Sequence, residues 1–306
     1  MTSEPRFCVA VVFNHRFDRN LPALRALYRG RFSTVRFLVP FYRGTDPDVI
    51  PVFASSATFQ GYFAQAQAAL AGEGFSHYVF VGDDLLLNPA INEGNLHAWL
   101  RLTPAAGYIK HLEAFSTLTS RWTYFNRTLA ALRFDYLVNA EAELPPRAEA
   151  CARLDAHGLP TGPLGWRNVQ TLPGPPGYKL GELLRTLGLI YGRPGGRELA
   201  YPLAMGYADL LVVPAAALAE FCHLCGVFAA MDLFVECAAP TALALATPEL
   251  RRERDLDVRG LELWSDADRA AFSERYGGEL GRLRAGFPAD TLYVHPVKLS
   301  QWRGVF

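Results

Sequence analysis

The chain has 306 residues, half of them apolar, and its 30 acidic and 30 basic residues give a net charge of zero. This length and apolar content support a substantial hydrophobic core, which excludes a disordered chain. A neutral chain has no overall field that would attract nucleic acid or an anionic membrane, so a small polar substrate is favoured.

The first 112 residues alternate between short apolar strands and helical patterns. Strands are predicted at 7–13, 34–40, 49–53 and just before Asp83, and helices are predicted at 21–28 and 61–70. Continuous apolar strands separated by helices predict an α/β fold, a Rossmann-like, mainly parallel sheet with helices on both faces. Ligands bind at the carboxyl ends of such strands, which is where Asn14, Tyr42 and Asp84 fall.

The C-terminal half is more elaborate. Pro, Gly and charged residues at about 141–180 predict an excursion or lid. A strand is predicted at 208–213, a helix from Ala215, an apolar helix containing 231–236, and a late strand at 291–295. Because no internal repeat or Gly/Ser linker is present, we expect one domain, 1–306, with halves at 1–112 and 113–306.

The cysteines and the longest apolar run favour an ordinary reduced core. All five cysteines have apolar neighbours, and Cys222 and Cys225 form a C-x-x-C spacing without the second pair that a structural zinc site needs. The apolar run at 210–231 is interrupted by a proline and polar residues, which favours a strand and a helix over a membrane span. Since no secretory signal pattern is present, we expect a cytoplasmic protein.

Two adjacent carboxylates, Asp83 and Asp84, directly follow the fourth predicted strand. A strand end gives a carboxylate a defined direction, and one or two carboxylates with water and phosphate oxygens are a usual site for Mg²⁺ or Mn²⁺. A nucleoside diphosphate is therefore a natural partner. With Asn88 and Pro89 following, the same acids also fit an ordinary turn or helix cap.

Several standard nucleotide and hydrolase motifs are missing from the sequence. It contains no G-x-x-x-x-G-K-[ST] phosphate loop, no G-x-G-x-x-G after the first strand and no G-x-S-x-G nucleophile elbow. Their absence argues against NTPases, dinucleotide oxidoreductases and α/β-hydrolases.

The segments Val81-Gly82-Asp83-Asp84 and Tyr293-Val-His295-Pro-Val-Lys298 together resemble elements of the GT-A fold glycosyltransferases. Those enzymes have an N-terminal nucleotide-binding sheet and an Asp-x-Asp motif at a strand end. In several families a C-terminal His completes the Mn²⁺ or Mg²⁺ shell. Here the first acid of that motif falls on Gly82.

The resemblance implies a set of site residues. Asp84 and His295 would bind Mn²⁺ or Mg²⁺, while Asp83 would contact the ribose, or the metal through water. Lys298 would offset the charge of the departing diphosphate. The first loop and its neighbours would contact the base and ribose of the nucleotide-sugar, a UDP- or GDP-sugar: Phe13, Asn14, Asp18, Tyr42 and Arg43. A helix cap, a core tyrosine and an ordinary strand-end histidine remain alternative explanations.

Asp232 and Glu236 are the candidates for the base that deprotonates the acceptor hydroxyl in an inverting enzyme. They are four residues apart in a predicted apolar helix and would share one of its faces. A polar helix face that meets solvent or an arginine is the alternative. Further candidates, the aromatic ones as a platform for an acceptor sugar, are His111, Glu113, Trp122, Tyr124 and Asp209.

We expect a metal-dependent glycosyltransferase of the hexosyltransferase type. It would transfer a sugar from a nucleoside-diphosphate donor to a hydroxyl of a glycan, a lipid-linked saccharide or a small molecule, as in bacterial polysaccharide biosynthesis. One alternative is a sugar-phosphate nucleotidyltransferase, although the sequence lacks its Gly-rich first loop. The other is a non-catalytic nucleotide- or sugar-binding protein of the same fold, which the glycine at position 82 favours.

Overall fold

The computed structural model describes residues 5–72, 74–119, 122, 124–131, 140–169, 175–192 and 194–304. The strands are β1 (Phe7–Val12), β2 (Thr34–Pro40), β3 (Val49–Val52), β4 (His77–Gly82), β5 (Leu86–Leu87), β6 (Ala106–Ile109), β7 (Leu112–Ala114), β8 (Ala204–Gly206), β9 (Leu210–Pro214), β10 (Glu249–Arg251), β11 (Arg259–Glu262) and β12 (Thr291–His295). The α-helices are α1 (Leu21–Tyr28), α2 (Gln60–Leu70), α3 (Leu96–Trp99), α4 (Phe125–Ala131), α5 (Arg147–Ala156), α6 (Pro176–Tyr191), α7 (Leu218–Ala230), α8 (Val235–Ala246), α9 (Asp266–Arg275) and α10 (Leu280–Ala285).

Within these residues, seven strands form a central sheet in the order β10-β6-β9-β4-β1-β2-β3. β1 pairs in parallel with β2 and β4, and β2 with β3 and β10 with β6 are also parallel. β9 pairs antiparallel with both β4 and β6. The prediction of an α/β fold with a mainly parallel sheet is confirmed. The direction of β9 was open, because a strand buried on both faces has the same apolar pattern either way.

The sheet is covered on both faces because the side chains of β1 alternate between two hydrophobic cores. Cys8 and Ala10 point into the core that α2, α7 and α8 cover. Val9 and Val11 point into the core that α1 covers. This alternation follows from the two-residue period of a strand, so a fully apolar β1 requires apolar cover on each side.

A second, three-stranded sheet joins the C-terminal strand to the segment that follows β4. β12 pairs in parallel with β11 and antiparallel with β5. The buried side chain of Asn88 reinforces this junction: its amide donates to the backbone oxygens of Thr291 at 2.7 Å and Pro288 at 3.2 Å. Asn88 is therefore a structural link between distant parts of the chain.

The segment at 141–180 contains more regular structure than the predicted excursion or lid. It includes α5 and the first turns of α6, and Leu154 of α5 is fully buried in the core. The helical spacing of Ala150 and Leu154 was obscured in the sequence by the charged residues around them. Residues 170–174 lie outside the described part of the chain.

The described cysteines are unpaired, and four of them, Cys8, Cys222, Cys225 and Cys237, are buried. Burial raises the pKa of Cys222 to about 12, so its thiol does not supply the thiolate that metal binding or redox chemistry needs. Four of the five predicted core thiols are therefore buried, and Cys151 is half-buried. Every helix in the described residues is too short or too polar to pass through a lipid bilayer.

Candidate functional site

A cavity of about 320 Å³ opens at the carboxyl ends of β1 and β4. In the sheet, β2 and β3 extend from one side of β1 while β4 lies on its other side. This reversal of strand order leaves a crevice, which is the usual ligand position in open α/β sheets. The cavity is lined by Asn14, His15, Phe17, Asn20, Asp83, Asp84, Lys298, Leu299 and Ser300. Four predicted site residues therefore lie together: Asn14, Asp83, Asp84 and Lys298.

Asp84 and His295 face each other next to this cavity, with His295 Nε2 at 3.2 Å from Asp84 Oδ1. The small sheet explains the contact: β5 begins two residues after Asp84 and pairs with β12, which ends at His295. The backbone N–H of Val297 donates to the backbone oxygen of Asp84 at 2.6 Å and fixes the approach. The structure thus brings together the two predicted metal ligands.

The Asp84–His295 contact lies in an electronegative environment. Asp84 Oδ1 is buried, and His295 Nε2 lies 3.2 Å from it. Burial of His295 opposes its protonation, but the contact with Asp84 and the charges of Asp209 and Glu262 prevail and raise its pKa. On the far side of the ring, His295 Nδ1 lies 2.7 Å from Tyr207 Oη, which fixes the ring orientation.

Asp83 is held at the end of β4 by its own backbone, whose N–H donates to Val12 O at 2.9 Å. Burial and the neighbouring charge of Asp84 raise the pKa of Asp83 to about 8, against a lowering contribution from the backbone N–H of Asn14. Asp83, Asp84 and one further carboxyl group lie close together at this strand end, which disfavours the ionised form of Asp83.

Asp209 supplies the third of these carboxyl groups. It directly precedes β9, and its backbone oxygen accepts a hydrogen bond from the N–H of Gly82 at 2.8 Å. A β carbon at Gly82 would lie 3.6 Å from Asp209 Oδ1 and 3.6 Å from Asp84 Oδ1. Burial raises the pKa of Asp209, the positive charge of His295 opposes this, and Asp84 reinforces it. A carboxylate from β9 thus occupies the space beside the position where the first acid of Asp-x-Asp would project.

In the first loop, the structure corrects the role predicted for Phe13 and adds Asn20 as a residue of the cavity. Phe13 is fully buried in the core with Val11, so the prediction that it stacks on a nucleotide ring is wrong. The strand alternation continues one residue beyond β1 and turns its side chain inward. Asn20, which was not singled out, lines the cavity at 5% exposure, and its Oδ1 has no hydrogen-bond partner. Asn20 could have been identified from the sequence, because it belongs to the polar stretch that directly follows the first strand.

The other predicted nucleotide contacts lie in an adjoining cavity rather than beside Asp84. This cavity, of about 380 Å³, is lined by Arg16, Asp18, Leu21, Pro22, Arg25, Tyr42, Arg43, Gly44 and Asp46. Tyr42 donates a 2.6 Å hydrogen bond to Asp46, and Arg16 pairs with Asp18 at 3.2 Å. Asp18, Tyr42 and Arg43 therefore lie together, but next to the ends of β1 and β2.

Asp232 and Glu236 do not share a helix face, which corrects the sequence-based expectation. α7 ends at Ala230 and α8 begins at Val235, and Asp232 lies in the turn between them with φ of +54°. The Asp232 side chain is 71% exposed and pairs with Arg127 at 2.8 Å. An exposed carboxylate that pairs with an arginine does not have the environment of a general base.

Glu236 is in the first turn of α8 and has the environment that Asp232 lacks. Its Oε2 accepts a 2.8 Å hydrogen bond from Trp122 Nε1. Burial raises the pKa of Glu236, the Trp122 hydrogen bond opposes this, and the charge of Asp209 adds to it. Through Asp209, Glu236 is electrostatically linked to the acidic strand end.

Aromatic side chains surround Glu236. Tyr124 stacks on Phe234 with ring centroids 3.7 Å apart, and Trp122 lies 5.9 Å from Phe234. Tyr124 is 39% exposed, so part of this group faces solvent. Trp122 and Tyr124, predicted as an acceptor-sugar platform, are therefore adjacent to the half-buried carboxylate.

The protein donor set for a metal is small. Among the described residues, no group of three or more His, Cys, Asp and Glu side chains has the arrangement to hold a metal ion. A cation at Asp84 and His295 would take two protein ligands, which fits a Mg²⁺- or Mn²⁺-type ion that completes its shell with water and phosphate. The buried Oδ1 of Asp84 and the imidazole nitrogen 3.2 Å from it are the donor types that such an ion accepts.

Comparison with known proteins does not identify a family for this chain. No protein-family model matches the chain, and no curated protein matches it in sequence. A functional conclusion therefore has to come from the site itself.

Proposed function

We propose that the protein is a metal-dependent glycosyltransferase of GT-A type that takes a sugar from a nucleoside-diphosphate donor, a UDP- or GDP-sugar, to a hydroxyl acceptor. The observation that carries this proposal is the pair Asp84 and His295, 3.2 Å apart beside a cavity at the switch point of the sheet. The two residues are far apart in the sequence, and their meeting was expected from the resemblance.

Asp84 and His295 would hold Mn²⁺ or Mg²⁺. The ion would supply Lewis-acid stabilisation of the negative charge that develops on the departing diphosphate. Tyr207 would hold the His295 ring, since its hydroxyl lies against Nδ1 and leaves Nε2 facing Asp84. Asp83 and Asp209 would add negative charge around the ion and raise its affinity.

The diphosphate and the nucleoside would lie in the two adjoining cavities. Lys298 lines the first cavity with Asp84, so its ammonium group would meet phosphate oxygens there. The unpartnered Oδ1 of the buried Asn20 is an acceptor for an N–H group of a base or for a ribose hydroxyl. Tyr42 and Arg43 in the second cavity would contact the remainder of the nucleoside.

Glu236 is the residue that we propose as the base for the acceptor hydroxyl. Its raised pKa brings its proton affinity closer to that of a working general base, and its Trp122 partner orients the carboxylate. Tyr124 and Phe234 form a stacked face beside it, which suits the apolar face of a sugar ring. The acceptor would be a hydroxyl of a glycan, a lipid-linked saccharide or a small molecule.

A second candidate is a nucleotide-sugar-binding protein without turnover. Gly82 favours it, because the first acid of the Asp-x-Asp motif is absent from β4. Asp209 argues for the enzyme, because its carboxylate lies beside that position. The two candidates differ in one measurable respect: only the enzyme releases a nucleoside diphosphate from a sugar donor.

The deciding experiment is a thermal-shift panel of UDP, GDP, CDP, ADP and TDP, each with and without Mn²⁺. We expect one nucleotide to stabilise the wild type only when Mn²⁺ is present. At about 100 times Kd the gain is about 2.7 kcal/mol, or roughly 5 °C in Tm. Asp84→Ala should abolish this shift. Asp257→Ala, which removes an 88% exposed carboxylate away from both cavities, should retain it.

The responding nucleotide then identifies the sugar donors to be tested for turnover. Mn²⁺-dependent release of the diphosphate that is lost in Asp84→Ala supports the enzyme, and binding without release supports the second candidate. Stabilisation by none of the five nucleotides would contradict both.

A further inference from the structure

The outer face of α6 is apolar, although the helix lies on the surface of the protein. Leu180 and Leu184 are 56% and 59% exposed, and Tyr191 is 39% exposed. These positions are spaced at i, i+4 and i+11, which places them within one narrow stripe of the helix. Trp166, 73% exposed, extends the stripe because its ring lies 5.2 Å from that of Tyr191. We call these four side chains the α6 face.

The opposite side of α6 makes polar contacts with the protein. The hydroxyl of Thr186 donates to Asn126 Oδ1 at 2.9 Å, and the Asn126 amide donates to Glu182 Oε2 at 2.8 Å. Surface helices normally place leucines inward and polar groups outward. α6 buries Ile190 in the core and turns polar groups toward α4, but packing within the chain does not explain why it also exposes Leu180 and Leu184.

The surroundings of the α6 face are basic, in a chain whose net charge is zero. Residues 163–198 contain five basic and two acidic residues. One of the two acidic residues, Glu182, accepts a hydrogen bond from Asn126 and lies 3.7 Å from Arg185. Arg167 and Lys179 are exposed on the same segment as Trp166 and Leu180. The segment therefore combines exposed leucines, interfacial aromatics and excess positive charge.

We propose that the α6 face docks the protein onto an anionic lipid bilayer. Leucines would enter the boundary of the acyl chains, while Trp166 and Tyr191 would lie at headgroup level, the preferred depth of these side chains. The basic residues would lie against lipid phosphates, each adding to the attraction. A second copy of the chain suits the face less, because it would bring two basic segments together. The inference is independent of the proposed enzymatic activity.

The test is co-sedimentation of the full chain with two kinds of vesicle, one of phosphatidylcholine alone and one containing about 30% phosphatidylglycerol. We expect the wild type to bind the anionic vesicles at least about 10-fold more tightly, since several basic residues contribute. The double variant Leu180→Glu/Leu184→Glu should lose at least about 10-fold of that affinity, because it puts charge where leucines enter the boundary.

The control is Phe53→Glu, which puts one negative charge at a 61% exposed apolar side chain elsewhere on the surface. It should bind anionic vesicles like the wild type. Because the substituted leucines are exposed, the double variant should keep the wild-type melting temperature, which verifies that it folds. In Lys179→Glu/Arg185→Glu, the preference for phosphatidylglycerol should fall.

Two results would overturn the proposal. The first is failure of the wild type to sediment with anionic vesicles, or unchanged binding by the Leu180→Glu/Leu184→Glu variant. The second is a wild type that sediments as a dimer in solution without vesicle binding, while the double variant is a monomer. That result would assign the α6 face to a second copy of the chain.

Discussion

Tyr207 is the residue that orients the proposed metal ligand His295, through the 2.7 Å contact between Tyr207 Oη and His295 Nδ1. Tyr207→Phe removes this partner and keeps the ring. Partners behind a metal-binding histidine typically contribute 10–100-fold to metal affinity. We therefore expect the apparent Kd for Mn²⁺ to rise by about 10-fold or more, measured as the Mn²⁺ concentration that half-saturates the nucleotide-dependent thermal shift.

The matched control for Tyr207→Phe is Tyr276→Phe. Tyr276 is also buried and donates a 3.3 Å hydrogen bond to Gly286 O, away from the cavity. It should leave the Mn²⁺ dependence unchanged. An equal Kd for Mn²⁺ in the two variants would show that Tyr207 does not contribute to metal binding.

Glu236 should impose a pH-dependent cost on stability. Burial, opposed by Trp122 and reinforced by Asp209, raises its pKa above the ordinary 4.5. Between that value and the folded-state pKa, the folded state binds more protons than the unfolded state, so stability is lost as pH rises. Glu236→Gln cannot ionise, and its Tm advantage over the wild type should grow from pH 4.5 to pH 8. A difference in Tm that is constant across this range would contradict the raised pKa.

At the residue scale, the sequence could identify residue types but not their exposure. Asn14 and Asp84 were predictable because polar residues at strand ends meet at one sheet edge, and Lys298 was expected from the resemblance. Phe13 was misassigned because one step of strand alternation decides whether a side chain faces solvent or core. Asn20 and Tyr207 were missed because their roles come from neighbours that are distant in sequence.

Asn88 should affect both the stability of the fold and the metal site, because its side chain links the segment after β4 to the start of β12. Asn88→Ala leaves the buried oxygens of Thr291 and Pro288 without this donor, which costs about 1–3 kcal/mol. We expect a lower free energy of unfolding in urea and a weaker response to Mn²⁺, because β12 carries His295. The exposed substitution Asn92→Ala is the control and should alter neither; a destabilised Asn88→Ala with a normal Mn²⁺ response would separate the two roles.

At the element scale, apolar periodicity predicted most strands and helices, but it placed 231–236 within a helix although the turn between α7 and α8 lies there. The run from Ala230 to Val235 is apolar enough to continue a helix, and only Asp232 interrupts it. In the structure Asp232 adopts a positive φ, which ends the helix and moves the carboxylate into solvent. The packing of α8 against α7 selected this turn, and no local pattern required it.

At the scale of the whole molecule, the site joins the first loop, the end of β4 and the C-terminal segment. A ligand in the 320 Å³ cavity would contact all three. We expect the responding nucleotide with Mn²⁺ to slow amide hydrogen exchange together at 14–20, 83–85 and 297–300, because bound ligand suppresses local opening. Exchange in α6 should not change. Protection of one segment alone, or protection that persists in Asp84→Ala, would contradict a shared site.

The net charge of the whole molecule does not describe the charge of each part of its surface. Equal numbers of acidic and basic residues argued against attraction to an anionic membrane. The basic excess at 163–198 lies on the segment that exposes Trp166 and Leu180. Interactions at a surface depend on charge within about one Debye length, so a neutral total does not describe such a patch.

The sequence by itself determined the α/β fold, the mainly parallel sheet and the location of polar strand ends, because these follow from local periodicity and turn chemistry. Only the tertiary structure decided the direction of β9, the pairing of β12 with β5, and the outward face of α6. These features depend on long-range pairing, in which one apolar strand or helix face can satisfy several partners equally well. The contact between Asp84 and His295 therefore exists because β5 and β12 pair in a second sheet, and local sequence could indicate the two residues but not their distance.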